Sequence, residues 1–208
     1  TLLNNKSSLL IKNVGMNKTR VGFYDLLNQH GAKIKFNNFK VKNNELRGNI
    51  IVKNCKIKPL SAAKKYYVNS TDEYPILFVI AALTKGISVF RGIGDLANKE
   101  SNRIKEMQKV LKQIGIKSSF TKDELKIFGK GIIDASKKKI IISDLGDHRI
   151  CMSSFILAAL TGARTKIKKS IIKDSKNQPE KKLTWNTYKQ KVVTESKIKQ
   201  GQVFVKEN

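Results

Sequence analysis

The sequence predicts an α/β domain assembled from repeated units. Three observations carry this: a strand, glycine turn, helix and strand that occur twice, two apolar helical segments that share an Ala-Ala-Leu-Thr run, and short strands between them. Residues 8–15 read as a strand ending in the turn at Gly15. A helical pattern follows over 19–29, with Val21, Tyr24, Leu26 and Leu27 apolar, then a stop at Gly31 and a strand over 32–36. The same order returns with Ile87, Val89 and Phe90 before Gly92-Ile93-Gly94, a helix over about 100–113, Gly115, and a strand over 116–120. Gly15 and Gly94 lie 79 residues apart and Gly31 and Gly115 lie 84 apart, so the second copy carries five extra residues, placed around 99–103.

Segments 72–86 and 148–162 hold the Ala-Ala-Leu-Thr run at 81–84 and 158–161. Both are apolar on most faces and read as buried helices whose small residues allow close packing. Residues 49–53, 124–128 and 139–143 read as short strands. The chain is thus two consecutive β-α-β-β-α units and the opening of a third. After about Ile172 the pattern decays, so the domain is expected over 1–172 and a tail over 173–208.

A chain of 208 residues suits one hydrophobic core, or one domain and a tail, and is short for two domains with a cleft between them. Its longest uncharged stretches, such as 74–84, fall short of the roughly 20 apolar residues a membrane span needs. The start lacks the segments of a signal peptide and has no Met, which gives the expectation of a fragment that begins in mid-domain. Cys55 and Cys151 are isolated from each other and from any Cys/His cluster, so neither a disulfide framework nor a zinc site is expected, and a reducing cytoplasm fits. The net charge of +26 points, taken alone, to nucleic acid or an anionic surface. The excess is nearly all lysine, however, with only six arginines, and it is scattered without interleaved aromatics. A lysine-biased surface is the expected reading, with no specific nucleic-acid partner.

Three ordered motifs are more specific than any of these features. The runs Asp72-Glu73-Tyr74-Pro75-Ile76-Leu77 and Lys99-Glu100-Ser101-Asn102-Arg103 and the triplet Asp147-His148-Arg149 follow one another. Their order and approximate spacing resemble those of 5-enolpyruvylshikimate-3-phosphate (EPSP) synthases. Asn13-Val14-Gly15 with Arg20, and Leu46-Arg47-Gly48, match the same pattern loosely. The resemblance covers residues 1 to about 170. It implies a domain of βαβαββ-type units with parallel helices inside and sheets outside, the C-terminal half of such an enzyme. The departures are Ala97 and Asn98 just before the second motif, Asn102 within it, and the absence after Ile172 of the family's closing Ser/Thr-Phe-Pro element.

The resemblance also implies a reaction: a hydroxyl of shikimate 3-phosphate adds across the enol double bond of phosphoenolpyruvate, and phosphate then leaves a tetrahedral intermediate. Such chemistry needs a base, an acid and several cations, and no cofactor or metal. By the resemblance, Asp72 contacts the shikimate hydroxyl and Glu100 handles the methylene proton. Lys99 binds substrate, and Arg103 and Arg149 hold phosphoenolpyruvate through their planar forks. The missing N-terminal half is the implied partner.

Asp72, Glu100 and Arg149 each fall at the beginning of a predicted helix, where unpaired backbone N–H groups attract anions. Read one by one, these residues have plainer explanations. Asp72 and Asp147 can cap helices, Glu100 and Arg103 can form a surface ion pair worth a few tenths of a kcal/mol, and His148 can be a packed residue. Rival functions are a UDP-sugar enolpyruvyl transferase, an inactive member of the same fold, and a basic nucleic-acid-binding module.

Overall fold

In the computed structural model, strand pairing sets the frame of the repeat. The described residues are 1–168 apart from Asn5, Lys18, Asp144 and Leu145. The elements are β1 (Ser8–Gly15), α1 (Gly22–Gln29), β2 (Lys33–Lys42), β3 (Glu45–Lys53), β4 (Ser61–Ala62), α2 (Lys64–Val68), α3 (Tyr74–Ala82), β5 (Gly86–Arg91), α4 (Arg103–Gln113), β6 (Lys117–Phe120), β7 (Glu124–Gly129), β8 (Lys139–Ser143), α5 (His148–Thr161) and β9 (Arg164–Lys168). One sheet has the order β1-β3-β2, a second β4-β5-β7-β6, and a third pairs β8 with β9. Within the first two, the last three strands in each order are antiparallel with matching connectivity, while β4 runs parallel to β5 and β8 parallel to β9.

The parallel pairs move the unit boundary from where the sequence places it. A strand before each buried helix joins the sheet of the strand after that helix, so one complete unit is β4-α3-β5-α4-β6-β7, a βαβαββ arrangement that also contains α2. Before it stand the last four elements of a preceding unit, β1-α1-β2-β3. After it come the first three of a following one, β8-α5-β9. The two-residue β4 is too short to show alternation, and only its pairing with β5 at Ser61↔Val89 and Ala62↔Phe90 defines it. Of the five extra residues of the second copy, two lie between Gly94 and the start of α4, where Gly94–Asn98 form a 3-10 turn, and three lengthen α4 to eleven residues against eight in α1.

The helices differ as their sequences dictate. In α3 eight of nine residues are buried, and Pro75 is tolerated because it lies in the first turn, where its missing N–H has no helical partner. Tyr74 and Phe78 pack edge-on with Phe90 of β5, at ring-centroid distances of 5.0–5.9 Å, at the centre of the core. By contrast α4 is two-faced, turning Ile104, Met107, Val110 and Leu111 inward. The helices expected over 19–29 and 100–113 begin three residues later, at Gly22 and Arg103, and end before Gly31 and Gly115, both in the left-handed region at φ 94° and 83°.

Helix α3 packs against both α4 and α5. On α5, Met152, Phe155, Ile156 and Leu160 form an exposed apolar stripe at helical spacing. Strand β1 likewise carries exposed Leu9, Leu10 and Ile11 and has no parallel neighbour among the described residues. The expected tail over 173–208 lies outside them. Among the described residues, no helix is long and apolar enough to cross a membrane, and no cluster of His, Cys, Asp and Glu could hold a metal.

Gly129 shows how closely sheet and helix approach. A Cβ there would lie 1.9 Å from the Thr84 carbonyl oxygen and 2.1 Å from that of Ala81, and neither backbone atom can swing aside. The next residue donates its N–H to the Ala82 carbonyl at 3.1 Å. Gly129→Ala is expected to cost about 3 kcal/mol or more. A lowered urea midpoint checks this, and an unchanged midpoint contradicts the packing.

Candidate active site

Three links between elements bring the motif residues together. The first precedes α3, where Thr71–Glu73 form a single 3-10 turn tied back by Thr71 Oγ1 to the Tyr67 carbonyl at 2.8 Å. Asp72 sits in this turn. The second is the link from the Gly94–Asn98 turn to α4, which carries Lys99, Glu100 and Ser101. Asn102 caps α4 by accepting the Lys105 N–H at 2.9 Å, which makes Arg103 the first helical residue. The third link leads into α5, where Asp147 Oδ1 accepts the N–H of Arg149 at 3.1 Å.

At the junction of these links lies the guanidinium of Arg103, whose side chain is only 1% exposed. Its Nε donates to Asp147 Oδ2 at 3.1 Å, Nη1 to Asp72 Oδ1 at 3.4 Å, and Nη2 to Glu100. Three carboxylates from three links thus meet one buried cation. From α5, Arg149 Nη2 donates to Asp72 Oδ2 at 2.7 Å and Nη1 reaches the Asp72 carbonyl at 3.4 Å. Asp72 therefore joins both arginines, and the exposed Arg20 lies 3.9 Å from the same Oδ2 that Arg149 contacts. Beside this cluster, burial and then the Asp72 charge raise the Glu73 carboxyl, against the lowering effect of its own backbone N–H, Arg149 and Arg20.

Lys99 is held apart from that cluster. Its ammonium pairs with Asp95 Oδ2 at 2.7 Å, and the same oxygen accepts the Tyr67 hydroxyl at 2.7 Å. The Lys99 and Tyr67 hydrogen bonds hold the Asp95 carboxyl below its ordinary range, while burial and then the bond to Asp95 push the Tyr67 phenol well above its own. Sequence reading missed Asp95 and Tyr67. The acidic residue four positions before a lysine is the signal that was present for Asp95, whereas Tyr67 comes from a separate helix and has none.

Set against the expectations, the structure gathers Asp72, Glu100, Arg103 and Arg149 and ties Lys99 to Asp95. Of the three expected helix starts only that of Arg149 holds, since Asp72 belongs to the 3-10 turn and Glu100 precedes α4 by three residues. The Asp72 carboxylate caps no helix and points to the arginines instead. Glu100 and Arg103 do pair at i and i+3, but the arginine is buried, so the pair is not a surface one. Asp147 caps α5 as its sequence allows and also binds Arg103, which local sequence could not indicate.

A group of carboxylates interleaved with arginines at one end of a buried helix can hold anions and exchange protons. A model of the EPSP synthase (3-phosphoshikimate 1-carboxyvinyltransferase) family matches residues 2–177. The chain belongs to the EPSP synthase family. Among curated members, the 3-phosphoshikimate 1-carboxyvinyltransferase of Bacillus pumilus is 33% identical over 155 residues, which cover 74% of this chain and 36% of that protein. That of Clostridium tetani is 32% identical over 166 residues, or 80% and 37%. The solved EPSP synthase of Acinetobacter baumannii superposes with a TM-score of 0.68 at 30% identity, covering 79% of this chain and 37% of that one. The enolpyruvyl transferase NikO of Streptomyces tendae, at 17% identity and a TM-score of 0.53, shares the fold.

Relative to these EPSP synthases, the chain spans a little over a third of their length. A model of the transglycosylase SLT domain also matches residues 151–208, of which only 151–168, within α5 and β9, are described.

Proposed function

We propose that this chain supplies one side of the active site of a 3-phosphoshikimate 1-carboxyvinyltransferase, the enzyme that transfers the enolpyruvyl group of phosphoenolpyruvate to shikimate 3-phosphate. The observation that carries this reading is the meeting of Arg103 and Arg149, from two different helices, on the carboxylate of Asp72 with Glu100 beside them. In the proposed reaction the substrate hydroxyl oxygen bonds to C2 of phosphoenolpyruvate as C3 takes up a proton. C3 then gives up a proton as the C2–O bond to phosphate breaks, so the double bond returns and inorganic phosphate leaves. Asp72 serves the hydroxyl proton and Glu100 the C3 proton. Arg103 and Arg149 bind phosphoenolpyruvate, and Lys99 binds substrate next to Glu100.

Because the chain spans little more than a third of its relatives, the activity is proposed for the whole enzyme, with the remaining length contributing the opposite wall and further cations. The isolated chain is expected to bind phosphoenolpyruvate weakly and to show no turnover. The test uses Arg103→Lys and Arg149→Lys in the whole enzyme. Both keep the charge and lose the planar fork, so KM for phosphoenolpyruvate should rise far more than KM for shikimate 3-phosphate. Equal effects on the two substrates overturn the assignment of a phosphoenolpyruvate clamp.

A further inference from the structure

Asp147 has more partners than a helix cap requires. Its carboxylate is buried, Oδ1 accepts the backbone N–H of Arg149 at 3.1 Å, and Oδ2 accepts both Arg103 Nε at 3.1 Å and Ser101 Oγ at 2.8 Å. One side chain therefore touches the start of α5, the first residue of α4 and the link that carries Glu100. We propose that Asp147 is a positioning residue that sets the direction and separation of the two arginines. The proposal rests on the phosphoenolpyruvate reading above.

A guanidinium offers five N–H groups in one plane, and anchoring the Nε side decides where the two Nη groups point. Asp147 takes the Nε side of Arg103, and the Nη1 and Nη2 groups then face Asp72 and Glu100. Through its other oxygen Asp147 fixes the backbone at Arg149, whose fork approaches the same Asp72. Both oxygens must accept, so an amide cannot substitute. With asparagine one position presents an N–H₂ group, either to the Arg103 Nε–H and the Ser101 hydroxyl or to the Arg149 N–H. Asparagine is nevertheless as good an N-cap as aspartate, which separates the two roles.

The test compares the wild-type chain with Asp147→Asn by NMR. In the wild type, the Arg103 Nε–H is expected to exchange slowly with water. In Asp147→Asn this protection is lost while the backbone amide spectrum stays that of the folded protein. Titration with phosphoenolpyruvate is expected to show affinity weakened about tenfold or more, the effect of misplacing one charge-assisted hydrogen bond. A purely capping role predicts an Asp147→Asn affinity within about twofold of wild type, and that result overturns the proposal, as does fast exchange of Arg103 Nε–H in the wild type. Should Asp147→Asn fail to fold, Asp147→Ser decides, because serine keeps a capping oxygen but is too short to reach Arg103 Nε: faster Arg103 Nε–H exchange supports the proposal, and wild-type exchange opposes it. If phosphoenolpyruvate causes no shifts in the isolated chain, the titration is repeated in the whole enzyme, where their absence overturns the functional reading, and the Arg103 Nε–H exchange alone then decides whether Asp147 orients that arginine.

Discussion

Replacing Arg103 with methionine is expected to destabilise the domain by about 3–5 kcal/mol, because it leaves the buried Asp147 carboxylate without its cation. Magnitude distinguishes two readings of this residue. As half of an exposed i, i+3 pair with Glu100, Arg103 would be worth only a few tenths of a kcal/mol. At 1% exposure, with three carboxylates around it, its removal strands charge in a region of low polarisability and frees Asp72, Glu100 and Asp147 to repel one another. Urea unfolding at neutral pH checks the value. The double variant Arg103→Met/Asp147→Asn should recover part of the loss, since the uncompensated charge is gone. A loss below about 1 kcal/mol would mean that the surface pairing reading is the correct one.

Glu100→Gln in the whole enzyme is expected to lower kcat by about 10²–10⁴-fold with little change in stability. The side chain is 53% exposed, and glutamine keeps an oxygen that can accept from Arg103 Nη2, so the packing has no reason to change. What is lost is the proton-transfer group. Asp72→Ala should cut turnover by a comparable factor but also raise KM for phosphoenolpyruvate, because the Asp72 carboxylate holds both arginines and its removal releases them. Steady-state kinetics with both substrates varied separates the two patterns. Wild-type turnover in Glu100→Gln would remove it from the reaction.

Much of the fold was legible because its signals are local. Apolar periodicity and glycine stops located α1, α4 and the strands after them, and the Ala-Ala-Leu-Thr runs marked the two buried helices α3 and α5. The difference in spacing between the glycine pairs gave the number of extra residues but not their place, since two lie between Gly94 and α4 and the other three lengthen α4 itself. The frame of the unit was not legible. Which strand closes one unit and which opens the next depends on hydrogen bonds between β4 and β5 and between β8 and β9, formed across the helices that separate them.

Family membership and the residues worth testing were determined by the sequence itself, since three ordered motifs are a linear pattern that survives without coordinates. How those residues are used was decided only by tertiary structure. Arg103 is a buried hub because Asp72 and Asp147 arrive from links 31 and 44 residues away along the chain, and no local pattern encodes that meeting. Asp147 reads as a cap from its neighbours, and only the approach of α4 shows its second oxygen in use. Lys99 reads as a substrate lysine by its place in the motif, while the packing of α2 beside the Gly94–Asn98 turn brings in Tyr67, which joins Lys99 on Asp95. The physical reason is common to all three: a side chain's charge and reach are properties of its own residue, but its partner is set by which chain segments the core brings within about 3 Å of it.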